Sequence, residues 1–89
     1  MSLVKVDQNK VMELKRSEAS LSRAEFKIAL LEEGYLQDVK DFVSNTNDER
    51  IQIFWEDSDT FARLDHDLLN MASQMGYTDE QMDALFGVV

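Results

Sequence analysis

The residues best able to do chemistry lie close together in the second half of the chain. Asp65-His66-Asp67 places the single histidine between two carboxylates, and all three are ligand types for a metal ion. Successive residues of a helix point about 100° apart, so these side chains cannot bind one ion from a single helix. A metal site here would need carboxylates from a second chain. We therefore expect no bound metal and an exposed, solvated His66.

A second acidic tripeptide, Asp57-Ser58-Asp59, invites comparison with a calcium-binding loop. Such a loop of twelve residues has glycine at the sixth place and glutamate at the twelfth. Counted from Asp57, these places hold Ala62 and Leu68. The calcium hypothesis fails, and the tripeptide is better interpreted as a cap between two helices.

Catalytic arrangements are hard to assemble from this composition. The chain has no cysteine and one histidine, so a nucleophile, a base and a group that orients the base cannot easily meet. Glu56-Asp57, next to Trp55, could do acid–base work only if burial shifted their pKa values, and no pattern indicates a cleft. We expect no catalytic residue, no cofactor and no enzymatic activity.

Composition and charge narrow the class of protein further. The 89 residues are 44% hydrophobic, which suits one small folded domain, and the formal net charge is −9. Residues 46–89 carry Arg50 and Arg63 against ten acidic residues. This excess of acid disfavours nucleic acid and anionic membrane as partners, and no apolar run reaches the length of a membrane span. The acid either forms a docking face for a basic partner or simply keeps a small domain soluble, and we favour solubility.

Capping signals and apolar periodicity predict a chain of short helices. Ser22 with Glu25, and Thr78 with Gln81, fit capping boxes, and Gly34 and Gly76 are typical helix ends. Residues 51–55 fit either a strand or a helix. We choose a helix because the only other strand candidate, residues 3–6, is too short to be a convincing partner. Helices are expected over residues 8–18, 23–33, 35–44, 48–56 and 60–75, followed by a short helix after Thr78.

The expected fold is therefore all-α: a small bundle of four to five short helices over residues 21–89, preceded by an N-terminal arm or helix over residues 1–20. Asp59 would cap the longest helix, whose apolar side chains follow a 3-4-3-4 spacing. These are Phe61, Leu64, Leu68, Met71 and Met75. The predicted common core is Phe26, Leu30, Phe42, Phe54, Leu64, Leu68 and Leu85.

Two features are candidate interaction sites. A helix over residues 8–18 has only Val11, Met12 and Leu14 to bury, which is too little to hold an isolated helix in water. It must dock on its own bundle or on a second copy, and we expect a homodimer with these residues at the interface; the alternative is a frayed arm on a monomer. Trp55 could be an interface residue, although we favour a core position for it.

Several short patterns together resemble a known class of proteins. Residues 22–36 contain R-x-x-F-x-x-A-L-x-x-x-G-x-L, and Trp55-Glu56-Asp57, Phe61-Ala62-Arg63 and the stretch 75–86 (MGYTDEQMDALF) follow. The set resembles small α-helical proteins, or C-terminal segments, encoded in tailed bacteriophages and prophages, often among tail genes. In those proteins a proline often follows the Phe61-Ala62-Arg63 region, whereas this chain has no proline.

The resemblance implies a phage or prophage product, located in the cytoplasm of a bacterial host or in the virion. The function we expect is non-enzymatic, by protein–protein contact, in tail structure or assembly, with a phage tail component as a possible partner. The alternative is an acidic, host-directed regulatory or inhibitor protein that occupies a basic site.

Overall fold

A computed structural model describes residues 8–88, with side chains from residue 10 onward, and the described chain is mostly helical. Within it, six helices and two short strands follow one another in sequence. They are α1 (Gln8–Glu18), β1 (Ser20–Ser22), α2 (Arg23–Glu33), α3 (Leu36–Asn45), α4 (Glu49–Asp57), β2 (Thr60–Ala62), α5 (His66–Met75) and α6 (Asp79–Phe86). The candidate strand at residues 3–6 lies outside the described residues.

The local capping signals predicted the helix ends well. Ser22 Oγ accepts from the Glu25 N–H at 3.2 Å, and the Ser22 N–H in turn donates to the Glu25 carboxylate at 2.9 Å. Thr78 and Gln81 make the same reciprocal pair at the start of α6. Gly76 ends α5 with φ +79°, a left-handed conformation that other residues rarely adopt.

The expectation of an all-α fold is wrong in one respect, because β1 and β2 form a small antiparallel sheet. Leu21 lies opposite Phe61, and the Arg63 N–H donates to the Ala19 carbonyl at 3.0 Å beyond the end of the ladder. Strand β2 has β1 as its partner, and the paired residues Leu21 and Phe61 are 40 positions apart in the chain. Three-residue strands are too short to establish an alternating pattern, so periodicity could not reveal them.

The predicted helix over residues 60–75 is also wrong in its first six residues. Helix α5 begins at His66, and its cap is Asp65, whose carboxylate accepts from the Asp67 N–H at 2.9 Å. Asp59 caps no helix; its carbonyl accepts from the Arg23 N–H beside the sheet. The helical spacing of Phe61 with α5 is a coincidence, and Leu64, which we expected in the core, is exposed.

The core is centred on aromatic rings from α2, α4, β2 and α6. Phe61 stacks on Phe26 with ring centroids 4.6 Å apart and meets Phe54 edge-on at 5.1 Å. Phe42 is half-buried at the edge of this core. The other predicted core residues are buried as expected, Leu64 excepted: Phe26, Leu30, Phe54, Leu68 and Leu85.

Candidate functional site

An ion-pair cluster attaches α1 to the rest of the domain. Arg16, in the last turn of α1, donates from Nε to Oδ1 of Asp83 at 2.9 Å and from Nη2 to Oδ2 at 2.6 Å. Asp83 lies on α6, 67 residues further along the chain. A forked arginine–carboxylate contact of this kind fixes orientation as well as distance. The cluster therefore sets the direction in which α1 leaves the domain.

The same carboxylate also neutralises a buried arginine. Arg63, with 1% of its surface exposed, donates from Nε to Asp83 Oδ1 at 2.9 Å. Its Nη2 lies 3.2 Å from a carboxylate oxygen of Asp79, while its buried Nη1 has no hydrogen-bond partner. Two arginines and two aspartates thus form a cluster without net charge, which lowers the cost of burying Arg63.

The electrostatics of this cluster favour a structural role. The hydrogen bonds from Arg16, followed by those from Arg63, lower the pKa of Asp83 despite its burial. In return, the hydrogen bond to Asp83 raises the pKa of Arg16. Asp83 therefore stays ionised at neutral pH and keeps both arginines in place, which is poorly suited to a general acid or base.

With Arg16 held inward, α1 presents its opposite face to solvent. Met12 packs against the core on the inner side, Val11 is half-buried, and Leu14 is 61% exposed. An open groove of about 660 Å³ lies beside Leu14. Its lining combines two leucines, Leu14 and Leu64, with Lys10, Glu13 and Ser17. Of the three hydrophobic residues predicted to make contacts, Leu14 is the most exposed.

Trp55 occupies the position that we favoured, in the core. It is 7% exposed, its ring meets Phe26 edge-on at 6.3 Å, and Lys27 Nζ lies 5.4 Å from the ring centroid. A ring enclosed in this way cannot insert into a partner unless the core opens. The outward position on the same helix belongs to Ile53, a residue that the sequence interpretation did not select.

Ile53 belongs to a second groove, between α4 and α5. This groove of about 610 Å³ has Ile53 and Phe54 as its apolar part and a mainly acidic rim, supplied by Glu49, Asp57, Asp65 and Asp67. Arg50 is the basic residue among its lining and donates to Asp67 at 2.6 Å, which raises the pKa of Arg50. The groove is therefore a partly apolar, negatively charged surface.

The residues considered as metal ligands each have a different structural role. Asp65 caps α5, Asp67 pairs with Arg50, and His66 is exposed, as expected. Among residues 8–88, no three His, Asp or Glu side chains are grouped closely enough to hold a metal ion. Glu56 and Asp57 are both exposed on α4.

The residues of the ion-pair cluster are those that sequence reasoning missed: Arg16, Arg63, Asp79 and Asp83. The available signal was Arg63 itself, one of two basic residues in a half with ten acidic ones. Both arginines form ion pairs: Arg50 pairs with Asp67, and Arg63 pairs with Asp79 and Asp83.

Comparison with protein-family models, with curated proteins and with solved structures finds no match to this chain. Within the part of the chain that the structure describes, no helix is both long enough and apolar enough to cross a membrane.

Proposed function

We propose that this chain is a non-enzymatic protein that acts by protein–protein contact, in the structure or assembly of a phage or prophage tail. The observation that carries the proposal is the groove beside α1, which is lined by two exposed leucines, Leu14 and Leu64. Exposed leucines that line one groove with polar residues around them are a feature of contact surfaces. The resemblance to phage helical proteins supplies the proposed setting.

The way in which α1 is held supports the same proposal. A short helix with a narrow apolar face gains little from burying that face, so it needs other interactions to stay ordered. The Arg16–Asp83 contact supplies them and leaves Leu14 turned outward. The domain thus stabilises a helix whose outer face has no contact with the core. We propose that this face binds a tail component, and that a second copy of the chain binds the same face when no tail component occupies it.

A substitution on α1 tests the contact surface directly. Leu14→Asp should abolish capture of a tail component in pull-downs from phage-infected cells, with the captured protein identified by mass spectrometry. The matched control is Leu31→Asp, because Leu31 on α2 is 63% exposed and is likewise a helical leucine. A tail component captured equally by both variants would contradict a role for the α1 face. Capture of no tail component by the natural sequence would contradict the proposed setting.

Point substitution is preferable to removal of residues 1–20. That deletion would also take away Arg16 and Ser20, which contribute to the Asp83 cluster and to β1. Any loss of association could then reflect unfolding of the domain. Circular dichroism of both leucine variants should match that of the natural chain, since neither residue belongs to the core.

The acidic groove favours a second candidate, a host-directed regulatory or inhibitor protein that occupies a basic site. Exposed Ile53 with carboxylates around it suits a partner that presents an apolar residue flanked by lysine or arginine. In the same pull-downs, this function predicts that the chain captures a host protein and that salt weakens the capture. The Ile53→Lys variant should no longer capture this protein, whereas the Leu14→Asp variant should still do so. Loss with Leu14→Asp alone would favour the tail function.

A further inference from the structure

We infer that α1 pairs in antiparallel orientation with α1 of a second copy, with Leu14 on the two-fold axis and Lys10 of each copy opposite Glu18 of the other. The inference rests on the proposed function, in which the outer face of α1 is a contact surface, and adds the partner's arrangement.

The outer face of α1 has a simple order of side chains. Lys10, Leu14 and Glu18 are spaced by four residues, so they form one row along the helix, and all three are exposed. Met12 and Arg16 lie on the opposite side, against the domain. The row therefore runs from a basic residue through an apolar one to an acidic one.

This order is complementary to its own reverse. In an antiparallel pair centred on Leu14, a residue four places before the centre faces a residue four places after it. Lys10 then meets Glu18 of the other copy, and symmetry repeats the pair at the other end. A parallel pair in register would instead bring Lys10 against Lys10 and Glu18 against Glu18. Charge complementarity thus selects the antiparallel arrangement.

The charge of the whole chain also points to this face. Two copies that each carry −9 repel one another, and most of the excess acid lies in residues 46–89. Helix α1 has three basic residues and two acidic ones, and Arg16 is neutralised by Asp83. The remaining Lys10 and Lys15 balance Glu13 and Glu18, so two α1 helices can meet without net like charge. Leu64, beside Leu14 in the groove, adds apolar surface from each copy.

The expected dimer is weak. Its apolar part consists of Leu14 and Leu64 from each copy, much less than the roughly 1,600 Å² buried in a standard stable interface. It should therefore dissociate on dilution. Because the apolar contact contributes little, the two Lys10–Glu18 pairs should supply a measurable fraction of the free energy of dimerisation.

Charge reversal and restoration test the arrangement. Sedimentation velocity over a dilution series would compare the natural chain with Lys10→Glu, Glu18→Lys and the double variant. Each single reversal replaces two attractions by two repulsions and should raise the dimer dissociation constant about tenfold. The double variant restores both pairs with their signs exchanged. Its dissociation constant should return to within about threefold of that of the natural chain. Lys40→Glu makes the same charge change of −2 as Lys10→Glu, at an exposed position on α3, and is the control for that variant. Its dissociation constant should differ from that of the natural chain by less than that of Lys10→Glu does.

The outcomes separate this inference from the proposed function. If the single variants dimerise like the natural chain, or the double variant fails to recover, the antiparallel arrangement is overturned even if Leu14→Asp is monomeric. A natural chain that stays monomeric at millimolar concentration overturns it as well, while the pull-down with Leu14→Asp still decides the tail function on its own. Circular dichroism of each variant checks that it remains folded.

Discussion

Replacing Asp83 by asparagine should destabilise the domain by about 3 kcal/mol. Asparagine keeps the size of the side chain but removes the negative charge that faces Arg16 and Arg63. Arg63 is 1% exposed, and removal of one partner of a buried ion pair costs roughly 3–5 kcal/mol. We take the low end because the amide oxygen can still accept one hydrogen bond. Against a total of roughly 5–15 kcal/mol for a small domain, this is a large loss.

Urea unfolding followed by Trp55 fluorescence measures this change, since the single tryptophan is buried in the folded state. Asp79→Asn is the matched control: it removes a carboxylate from the same arginine, but the Asp79 side chain is 73% exposed. A pair whose carboxylate is hydrated in this way should contribute less than the Asp83 pair, about 1 kcal/mol. Equal losses in the two variants would refute the reasoning, because burial of the Asp83 pair would then add nothing.

The pH dependence follows from the lowered pKa of Asp83. An aspartate in the unfolded chain has a pKa of about 3.9. The hydrogen bonds from Arg16 and Arg63 hold the pKa of Asp83 in the folded chain below that value. The unfolded chain then binds the proton first as pH falls, so the contribution of Asp83 is complete above about pH 5 and declines below about pH 4. The stability difference between the natural chain and Asp83→Asn should shrink over that acidic range. A difference that stays constant down to pH 3 would contradict the assignment.

Two further predictions concern the core and the helix caps. Leu68→Ala should cost about 2–5 kcal/mol in urea unfolding because Leu68 is buried, whereas Leu64→Ala should cost less than about 1 kcal/mol because Leu64 is exposed; similar costs would place both leucines in one environment. Ser22→Ala removes the hydroxyl that caps α2 and should cost about 1 kcal/mol, seen as a lower melting temperature by circular dichroism, and an unchanged melting temperature would show that the cap contributes nothing.

Helix ends were predictable because their signals are local. Ser22 with Glu25, and Thr78 with Gln81, satisfy backbone groups within three residues, so tertiary structure need not be known. Long apolar spacing was less reliable. Phe61 and Leu64 continue the spacing of α5 backward, but the Asp65 carboxylate caps the helix at a later position and leaves Phe61 in a strand.

The ion-pair cluster could not be predicted, because its partners come from three distant segments. Arg16, Arg63 and Asp83 meet only once α1, β2 and α6 are in place. Single charged residues carry no spacing pattern, and most of them are solvated on the surface. The outward position of Leu14 follows from the same cluster, so the sequence could not show which of the hydrophobic residues of α1 is exposed.

The pairing of β1 with β2 has a kinetic consequence. Leu21 and Phe61 are 40 residues apart, so the ladder can form only after a loop containing α2, α3 and α4 has closed. Loop closure costs entropy before the ladder and the Phe26–Phe61 stack return any stabilisation. Chains dominated by local contacts fold fastest, and distant pairings slow the search. This domain should therefore fold more slowly than a bundle of the same length whose helices contact only their neighbours in sequence.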